Sequence, residues 1–360
     1  MLREGQKNQP MKPNIALARF VLVIMGFALA FGLAEIAARI FEPRFDPCEE
    51  PQETPGSPVI EALFDFAQPG VSGVMVCNVP YRTNRLGFRG PEVSKDKPRG
   101  LFRIVIGGDS VTMGSGVPED RTYSVQLQNL LNDGGGRDRT IETLNLGISG
   151  LPIRQVVSRI ERIGLPLDPD LIVYGWTIND IEDTNYRMTS SKEERRAWFE
   201  HSKRFASSSS RLLAIVGPRF VELSRRGKPG YKFELFDNYF ENERAWTDFT
   251  RELDRLAEIQ RRTGACTVVF IHTHLQELGA ENPYLRIYDK VERAALERGL
   301  FVVQSFAAFE GRRPWTVWVA NTDQHPNALG HSLLADSLRQ GLEALPDRCW
   351  QDRGDHPPGS

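Results

Sequence analysis

The chain has 360 residues, of which 40% are hydrophobic and 26% charged, and 45 Lys and Arg against 47 Asp and Glu leave a formal charge of -2. This composition is typical of globular protein and excludes a multi-span membrane protein, a collagen-like chain and a wholly disordered one. Without a basic excess, nucleic acid is not an expected partner.

The first predicted element is an apolar helix near the N-terminus. Residues 20–34 carry no charge, and the apolar pattern extends over residues 15–41. The uncharged core is shorter than the roughly 20 residues that span hydrocarbon. The long side chain of Arg19 can reach the headgroups, however, and so lengthens the usable span. We therefore predict a transmembrane anchor at residues 15–41.

The flank of this helix indicates its orientation. Residues 1–14 carry Arg3, Lys7 and Lys12 against Glu4, so the positive-inside rule predicts a cytoplasmic N-terminus. A cleaved signal peptide is the alternative, because a basic start and an apolar core also define signal sequences. Both interpretations export the rest of the chain. We expect a single-pass protein of the cell membrane whose main domain is periplasmic or extracellular.

Two polar segments frame the predicted main domain. Residues 42–84 form a linker and pre-domain segment that begins rich in Pro and Glu, as is typical of a stiff spacer. Residues 347–360 are polar and rich in Pro and Gly, and we expect a flexible tail there.

The four cysteines are too few for a disulfide scaffold and lack the spacing of zinc ligands. In an exported protein, a bridge between Cys48 and Cys77 is one interpretation. Free thiols are equally compatible with the sequence, and four cysteines allow three connectivities. The pairing of all four cysteines, Cys48, Cys77, Cys266 and Cys349, therefore stays open.

From about residue 102, short β-branched runs alternate with amphipathic helical patterns. Strands are predicted at residues 103–108, 140–147, 170–176, 266–273 and 300–305. Helices are predicted at residues 123–132, 152–164, 246–264, 282–299 and 332–345. Such short apolar runs suit strands buried on both faces of a parallel sheet. The alternation predicts a three-layer α/β domain with a mostly parallel, five-stranded sheet.

In such a sheet, ligands bind where loops leave the carboxyl ends of the strands. The first strand runs through Gly107 and Gly108 into Asp109 and Ser110. A hydroxyl at a strand-to-helix turn lies beside the N–H groups of the next helix, which suits a nucleophilic serine with an oxyanion donor nearby. The turn matches neither a P-loop nor a dinucleotide fingerprint. Ser110 is thus a candidate nucleophile, and a helix-capping serine is the structural alternative.

A candidate base lies near the C-terminus. His325 precedes Pro326, which predicts an extended or turn conformation. Asp323, two residues earlier, can orient the imidazole and stabilise its protonated form. Because this segment is paired with a serine turn at the other end of the domain, we interpret His325 as a general base and Asp323 as its acid partner.

Two further strand ends supply hydrogen-bond donors. Gly147 follows the second strand, and Asn179 follows the third. A glycine N–H and an asparagine amide both suit a developing oxyanion. No metal is predicted, because the pair His272 and His274 lacks an accompanying carboxylate.

In order and spacing, these segments resemble the four blocks of the SGNH (GDSL) hydrolases. The blocks are Gly108-Asp109-Ser110, the Gly147 loop, Asn179-Asp180, and the Asp323 and His325 segment. The lead-in from Asn84 to Glu92 looks like that of membrane-tethered bacterial members. Many members place the acid three residues before the histidine, whereas Asp323 is only two residues before His325.

The resemblance implies a flavodoxin-like fold for residues 85–346. It also implies Ser110 as nucleophile, His325 as base, and an oxyanion hole formed by the Ser110 and Gly147 amides with the Asn179 side chain. An insertion is predicted at about residues 185–245, whose aromatic residues either pack on the domain or stack on sugar rings.

The implied reaction is ester cleavage through an acyl-serine, with no cofactor. Because the domain is predicted to be exported, we expect O-acetyl groups on envelope or extracellular carbohydrate as the substrate. Polysaccharide O-acetyl transfer with the same triad is one alternative. A catalytically inactive envelope-assembly protein is the other.

Overall fold

A computed structural model describes much of the chain. The described residues are 15–41, 70, 74–76, 79–133, 139–181, 210, 212, 213, 216, 231–320 and 323–351. The predictions for Cys48 and Cys77, for most of the linker, for most of residues 185–230 of the insertion and for the end of the tail lie outside this set.

The described part of the chain alternates between strands and helices. The strands are β1 (Val74–Val76), β2 (Val79–Tyr81), β3 (Leu101–Gly108), β4 (Thr140–Asn145), β5 (Leu171–Trp176), β6 (Cys266–Ile271), β7 (Phe301–Gln304), β8 (Trp318–Ala320) and β9 (Asp323–Pro326). The α-helices are α1 (Ile15–Phe41), α2 (Ser110–Met113), α3 (Tyr123–Asp133), α4 (Ile153–Arg159), α5 (Tyr231–Phe240), α6 (Glu243–Thr263), α7 (Leu285–Leu296), α8 (Phe306–Phe309) and α9 (Ala328–Glu343).

The chain divides into two compact units, and the first contains α1. This unit comprises residues 1–45 and 198–224. The segment Arg19–Ile40 has a mean hydropathy of 2.3, and none of it is buried. By length and composition this helix can cross a membrane, and a signal sequence near an N-terminus has the same properties.

The second unit holds a five-stranded sheet in the order β4-β3-β5-β6-β7. All neighbouring pairs are parallel. This is the strand order of the flavodoxin-like doubly wound folds, in which the order reverses between the first strand and the third. The predicted mostly parallel sheet is confirmed. The reversal falls between β3 and β5, so their carboxyl ends form the crevice that binds ligands in such folds.

Two apolar layers cover the sheet, one on each face. The α4, α6 and α7 side packs around Trp176, and the α3 and α9 side packs around Phe270. Every residue of β5 and β6 is buried, which explains why these strands are continuous apolar runs rather than alternating ones. The predicted three-layer α/β architecture is therefore confirmed.

Helix boundaries differ slightly from the prediction, for local reasons. The helix predicted from residue 246 begins at Glu243, because the Asn242 side chain caps it by accepting from the Ala245 N–H. The helix predicted over 152–164 ends as α-helix at Arg159 and continues as a π-helical turn, Ile160–Gly164.

The aromatic residues at the end of the predicted insertion pack on the domain. Tyr239 in α5 is fully buried, and its hydroxyl donates to the Ile178 carbonyl at 3.0 Å. Phe236, Phe240 and Trp246 pack around the same core. These four aromatic side chains therefore pack on the domain and do not form an open face for stacking on sugar rings.

One disulfide joins the two ends of the second unit's C-terminal half. Cys266, at the start of β6, is bonded to Cys349, which follows α9. The alternative of free thiols is thus wrong for these two residues. The bridge encloses a loop with a sequence separation of 83 residues and fastens the last described turn, Asp347–Trp350, to an interior strand of the sheet.

Removing this bridge is expected to destabilise the domain. The double variant Cys266→Ala and Cys349→Ala should lower the free energy of unfolding by about 4 kcal/mol, because a long loop regains its freedom in the unfolded state. Urea unfolding with and without reductant measures the effect. The wild type should lose more stability on reduction than the double variant does. Equal stability of the two oxidised proteins would contradict the prediction.

Candidate active site

Ser110 lies at the rim of the sheet, where Gly108 at the end of β3 lets helix α2 approach the sheet closely. A Cβ at Gly108 would lie 2.0 Å from Thr112 Oγ1 and 2.8 Å from the Gly175 carbonyl oxygen. No larger residue fits there. Asp109 then caps α2 by accepting the Val111 N–H at 3.0 Å. Ser110 becomes the first residue of α2, at the crevice beside β5.

His325 approaches Ser110 from the opposite end of the sequence. It lies in β9, which pairs antiparallel with β8 and ends at Pro326, so the predicted extended conformation is observed. Its Nε2 is 2.8 Å from Ser110 Oγ, and its Nδ1 is 2.5 Å from Asp323 Oδ1. The fold thus joins these three side chains in one hydrogen-bonded chain across 215 residues of sequence.

The two-residue spacing of Asp323 and His325 is compatible with this geometry. Asp323 Oδ1 accepts both the ring nitrogen and, at 3.0 Å, the backbone N–H of His325. Burial raises the pKa of Asp323, but the hydrogen bond and charge attraction with His325 outweigh it and hold the pKa below the ordinary 3.8. Asp323 therefore stays ionised across the range in which an ordinary histidine titrates.

Asn179 lies next to the serine turn through a contact with Asp109. The amide Nδ2 of Asn179 is 3.4 Å from Asp109 Oδ2, and Thr177 Oγ1 lies 2.7 Å from the same oxygen. Asp109 is buried, which raises its pKa, while its hydrogen bonds from Thr177 and Val111 act in the opposite direction. The carboxyl end of β5 is therefore tied to the carboxyl end of β3 beneath Ser110.

Gly147 has a different environment from the one that the sequence led us to expect. Its N–H donates to Asn145 Oδ1 at 3.0 Å, and the Asn145 amide donates in turn to the Thr112 carbonyl at 2.7 Å. A Cβ on Gly147 would lie 2.3 Å from the Met113 nitrogen. Gly147 thus packs against α2, and its N–H orients the Asn145 side chain. In this arrangement that N–H is not available for the expected oxyanion contact.

The same loop has other amides. The N–H groups of Leu146 and Ile148 donate to carbonyls of β3. The amides of Ser149 and Gly150, in contrast, have no hydrogen-bond acceptor among the residues that the structure describes. Ser149 is exposed, whereas Gly150 is half-buried and has φ of 73°. Donors of this loop that can face a ligand therefore come after Gly147.

Arg89 is a structural residue of the site that sequence reasoning missed. Its guanidinium is buried and donates to the carbonyls of Met113, Gly114 and Val117 at 2.7–2.8 Å. It thereby holds the loop that follows α2. The signal was present in the sequence, as an arginine in the lead-in segment close to the domain's first strand, but its partners are carbonyls that no pattern predicts.

The histidines considered as metal ligands, His272 and His274, are not part of a ligand cluster in the described part of the chain. No group of three or more His, Cys, Asp or Glu in the described part of the chain could hold a metal ion. His272 is buried against the rings of Phe270 and Tyr123, and burial lowers its pKa to about 3. His274 contacts the ring of Tyr284.

Fold and side-chain geometry together define an α/β protein equipped for acyl-ester chemistry at a serine. The model of the GDSL-like lipase/acylhydrolase family matches residues 107–333, a range that holds Ser110, Asn179 and His325. The chain belongs to the GDSL-like lipase/acylhydrolase family. The resemblance noted in the sequence is confirmed, and the protein is an ester hydrolase by class.

Several solved structures are similar to this chain. One is a two-domain esterase active on acetylated mannans, co-crystallised with mannopentaose: it is 15% identical with a TM-score of 0.42, and the match covers 71% of this chain and 52% of that one. The chain thus spans about half of that esterase. Axe2, an acetylxylan esterase from Geobacillus stearothermophilus, is 17% identical with a TM-score of 0.42, covering 67% and 94%.

A third similar structure is LAE5, an α/β hydrolase from the metagenome of Lake Arreo, Spain. It is 17% identical with a TM-score of 0.41, and the match covers 70% of this chain and 97% of that one. No curated protein matches the sequence.

The hydrogen bond between Asp323 and His325 predicts a selective loss of turnover. Asp323→Asn should lower kcat on the order of 10⁴-fold with little change in KM, because the imidazole loses its orienting carboxylate. Steady-state kinetics on a chromogenic ester measure both constants. Gln324→Ala is the matched control, since the Gln324 side chain contacts Gln276 and not the imidazole. An unchanged kcat in Asp323→Asn would exclude the orienting role.

Proposed function

We propose that this protein is an exported, membrane-anchored serine esterase that removes O-acetyl groups from envelope or extracellular carbohydrate. The observation that carries the proposal is the hydrogen-bonded chain from Asp323 through His325 to Ser110 Oγ. In a member of an acylhydrolase family, this chain supplies a nucleophile, a base and an orienting carboxylate at the ligand-binding edge of the sheet.

Acylation begins at Ser110. As Ser110 Oγ attacks the ester carbonyl, His325 Nε2 takes the hydroxyl proton, and Asp323 stabilises the imidazolium that forms. The tetrahedral intermediate collapses when His325 returns the proton to the leaving alcohol oxygen. The result is an acyl-serine and a free sugar hydroxyl.

The intermediate's oxyanion needs donors near Ser110. We assign two of them to the Ser110 N–H and the Asn179 side-chain amide, which lies beside the serine turn. The third comes from the loop after β4, and we assign it to the Gly150 N–H, because the Gly147 N–H is engaged with Asn145. Each donor of this kind is worth about 10²–10³ in kcat.

Deacylation reuses the same groups. His325 takes a proton from water, the resulting hydroxide attacks the acyl carbonyl, and the tetrahedral intermediate expels Ser110 Oγ as His325 protonates it. Acetate leaves and the serine is regenerated. No cofactor enters these steps.

The choice of substrate rests on where the domain would operate. We assign residues 15–41 to the anchor, 42–84 to the linker and pre-domain segment, and 85–346 to the hydrolase domain with its insertion at about 185–245. The flexible tail predicted from residue 347 begins later, because Asp347–Trp350 forms a helical turn that the Cys266–Cys349 disulfide holds to the domain. A catalytic domain tethered outside the membrane meets polymeric carbohydrate that does not enter the cytoplasm. The half-exposed side chain of His325, 34% accessible, supports an opening at the site that a chain-like substrate can approach.

The assignment of Ser110 is tested with a covalent probe and a natural ester together. The full chain in detergent should be labelled by a fluorophosphonate and should release acetate from acetylated glycans, and Ser110→Ala should lose both properties. Ser332→Ala is the matched control, because Ser332 is an exposed serine on α9. Full esterase activity in Ser110→Ala would end the proposal. Labelling accompanied by acetyl transfer to a glycan hydroxyl, without free acetate, would replace hydrolysis by transferase activity.

The anchor is tested at the centre of α1. Leu29→Arg places a charge near the middle of Arg19–Ile40, where it costs about 3 kcal/mol of insertion free energy. The variant should leave the carbonate-washed membrane fraction, whereas Leu29→Ala should stay in it. Intact mass of the wild-type chain should include residue 1. A mature N-terminus beyond α1 would show that the segment is cleaved.

A further inference from the structure

Two buried carboxyl groups lie on either side of one hydroxyl beneath the serine turn. Thr177 Oγ1 is 2.7 Å from Asp109 Oδ2 and 2.8 Å from Asp180 Oδ1. Asp109 is 1% exposed and Asp180 is not exposed at all. In the described part of the chain, neither carboxyl group forms a salt bridge within 4.0 Å. The pair therefore lacks a cation that would balance two charges.

The number of protons limits how these contacts can be made. A threonine hydroxyl has one proton to donate. If both carboxyls were ionised, Thr177 could satisfy only one, and the other contact would bring two proton-free oxygens together inside the protein. Because both carboxyl groups lie at hydrogen-bond distance from Thr177 Oγ1, one of them must carry a proton and donate it to that oxygen.

The remaining contacts indicate which carboxyl carries the proton. Asp109 Oδ2 has the Asn179 amide at 3.4 Å in addition to Thr177, and Asp109 Oδ1 accepts the Val111 N–H. Donors therefore converge on Asp109 as on an anion. Asp180 Oδ1 contacts Thr177 Oγ1 alone among the described residues, so a proton there has a single, well-directed acceptor.

The other oxygen of Asp180 is arranged like the carbonyl of a carboxylic acid. Asp180 Oδ2 accepts the Tyr174 hydroxyl at 2.6 Å and the Thr177 N–H at 3.2 Å. A neutral acid with its proton on Oδ1 thus satisfies every contact, with two donors on the carbonyl oxygen and one acceptor for the hydroxyl.

We propose that Asp180 is a positioning residue held as the neutral acid, which donates to Thr177 and so directs the Thr177 proton to an ionised Asp109 that orients the Asn179 amide. The inference rests on the proposed function, because it concerns how an oxyanion donor is aimed. With Asp109 ionised, Asn179 must turn its NH₂ rather than its carbonyl towards that carboxylate. One N–H is then held by Asp109 and the other is left for substrate.

Electrostatics agree with this placement of the proton. Burial raises the pKa of Asp180 well above its ordinary value, and the nearby charge of Asp109 raises it further. Among the described residues, the titratable groups that act on Asp180 are Asp109 and Tyr174. The phenol of Tyr174 stays neutral because burial raises its pKa. Two like charges that share a buried site normally keep one proton between them.

The first experiment detects the proton directly and does not depend on activity. The full chain in detergent, labelled with ¹³C at aspartate carboxyl groups, should show an infrared carboxylic-acid C=O band at neutral pH. The band should vanish in Asp180→Asn and remain in Asp323→Asn. Absence of the band in the wild type would overturn the proposal, as would its survival in Asp180→Asn. Either result leaves the assignment of Ser110 untouched.

The second experiment compares two isosteric variants. Asparagine at 180 mimics the neutral acid, because its NH₂ can donate to Thr177 and its carbonyl can accept from Tyr174. Asp180→Asn should lower kcat by less than about tenfold, since one neutral hydrogen bond is exchanged for another. Asp109→Asn should lower kcat by about 10² or more, because an NH₂ replaces an acceptor among converging donors. The reverse order of the two losses would place the proton on Asp109 and overturn the proposal.

The third experiment tests whether the Thr177 hydroxyl connects the two carboxyl groups, by removing that hydroxyl and then restoring it. Thr177→Val removes the hydroxyl at similar volume, so it should lower kcat more than it changes KM and should shift the infrared band of Asp180. Thr177→Ser restores the hydroxyl and should return both readouts towards wild type. A Thr177→Ser variant as impaired as Thr177→Val would indicate a packing role for Thr177. It would contradict the proposal that the Thr177 hydroxyl links Asp180 to Asp109 by hydrogen bonds.

Discussion

The site depends on the close approach of β3 and β5 where the strand order of the sheet reverses. Gly108 and Gly175 face each other in register, and Thr112 occupies the space that their missing side chains leave. A Cβ on Gly175 would lie 2.5 Å from Thr112 Oγ1. The Thr112 hydroxyl in turn pairs with the Tyr123 hydroxyl at 2.9 Å. Helix α2 is thereby drawn onto the sheet, and Ser110, at its start, is fixed at the rim.

Other polar contacts also hold the serine turn and helix α2 in place. Arg89 gathers three carbonyls of the loop that follows α2, and Asn145 joins the Gly147 loop to the Thr112 carbonyl. Asp109 ties the turn to the end of β5 through Thr177. A short helix of four residues has little stability of its own. Here it is held by polar contacts to backbone groups, which explains how a single helical turn can keep a side chain in one place.

The sequence was sufficient to predict the parts that depend on local pattern. Buried strands such as β5 and β6 are apolar runs with few other interpretations. The extended conformation of His325 followed from the proline after it. Asp323 was a candidate partner because it lies close by in the sequence, although its spacing of two residues departs from that of many family members. Ser110 followed from the glycines before it, since they mark a turn at a strand end. In each case the determining neighbours are within a few positions in the chain.

Contacts made across the fold left no such signal. The disulfide between Cys266 and Cys349 joins residues 83 positions apart, and four cysteines alone do not identify the pair. Gly147 was assigned as a donor because glycine follows a strand, but the direction of its N–H depends on Asn145 two residues earlier. The sequence singled out Asp180 only as part of the Asn179-Asp180 segment, and its protonation state becomes a question only because it approaches Thr177 opposite Asp109.

The charge on this buried pair matters because the proposed reaction creates an anion beside it. In that proposal the oxyanion is held by Asn179, close to Asp109, and attraction or repulsion between charges is strong where water is excluded. A second ionised carboxylate at Asp180 would add to the repulsion without adding a donor. With Asp180 neutral, the buried pair carries one negative charge, and that charge is covered by donors from Thr177, Val111 and Asn179. The imidazolium of His325 then balances Asp323, and the developing oxyanion is left to its three proposed N–H donors.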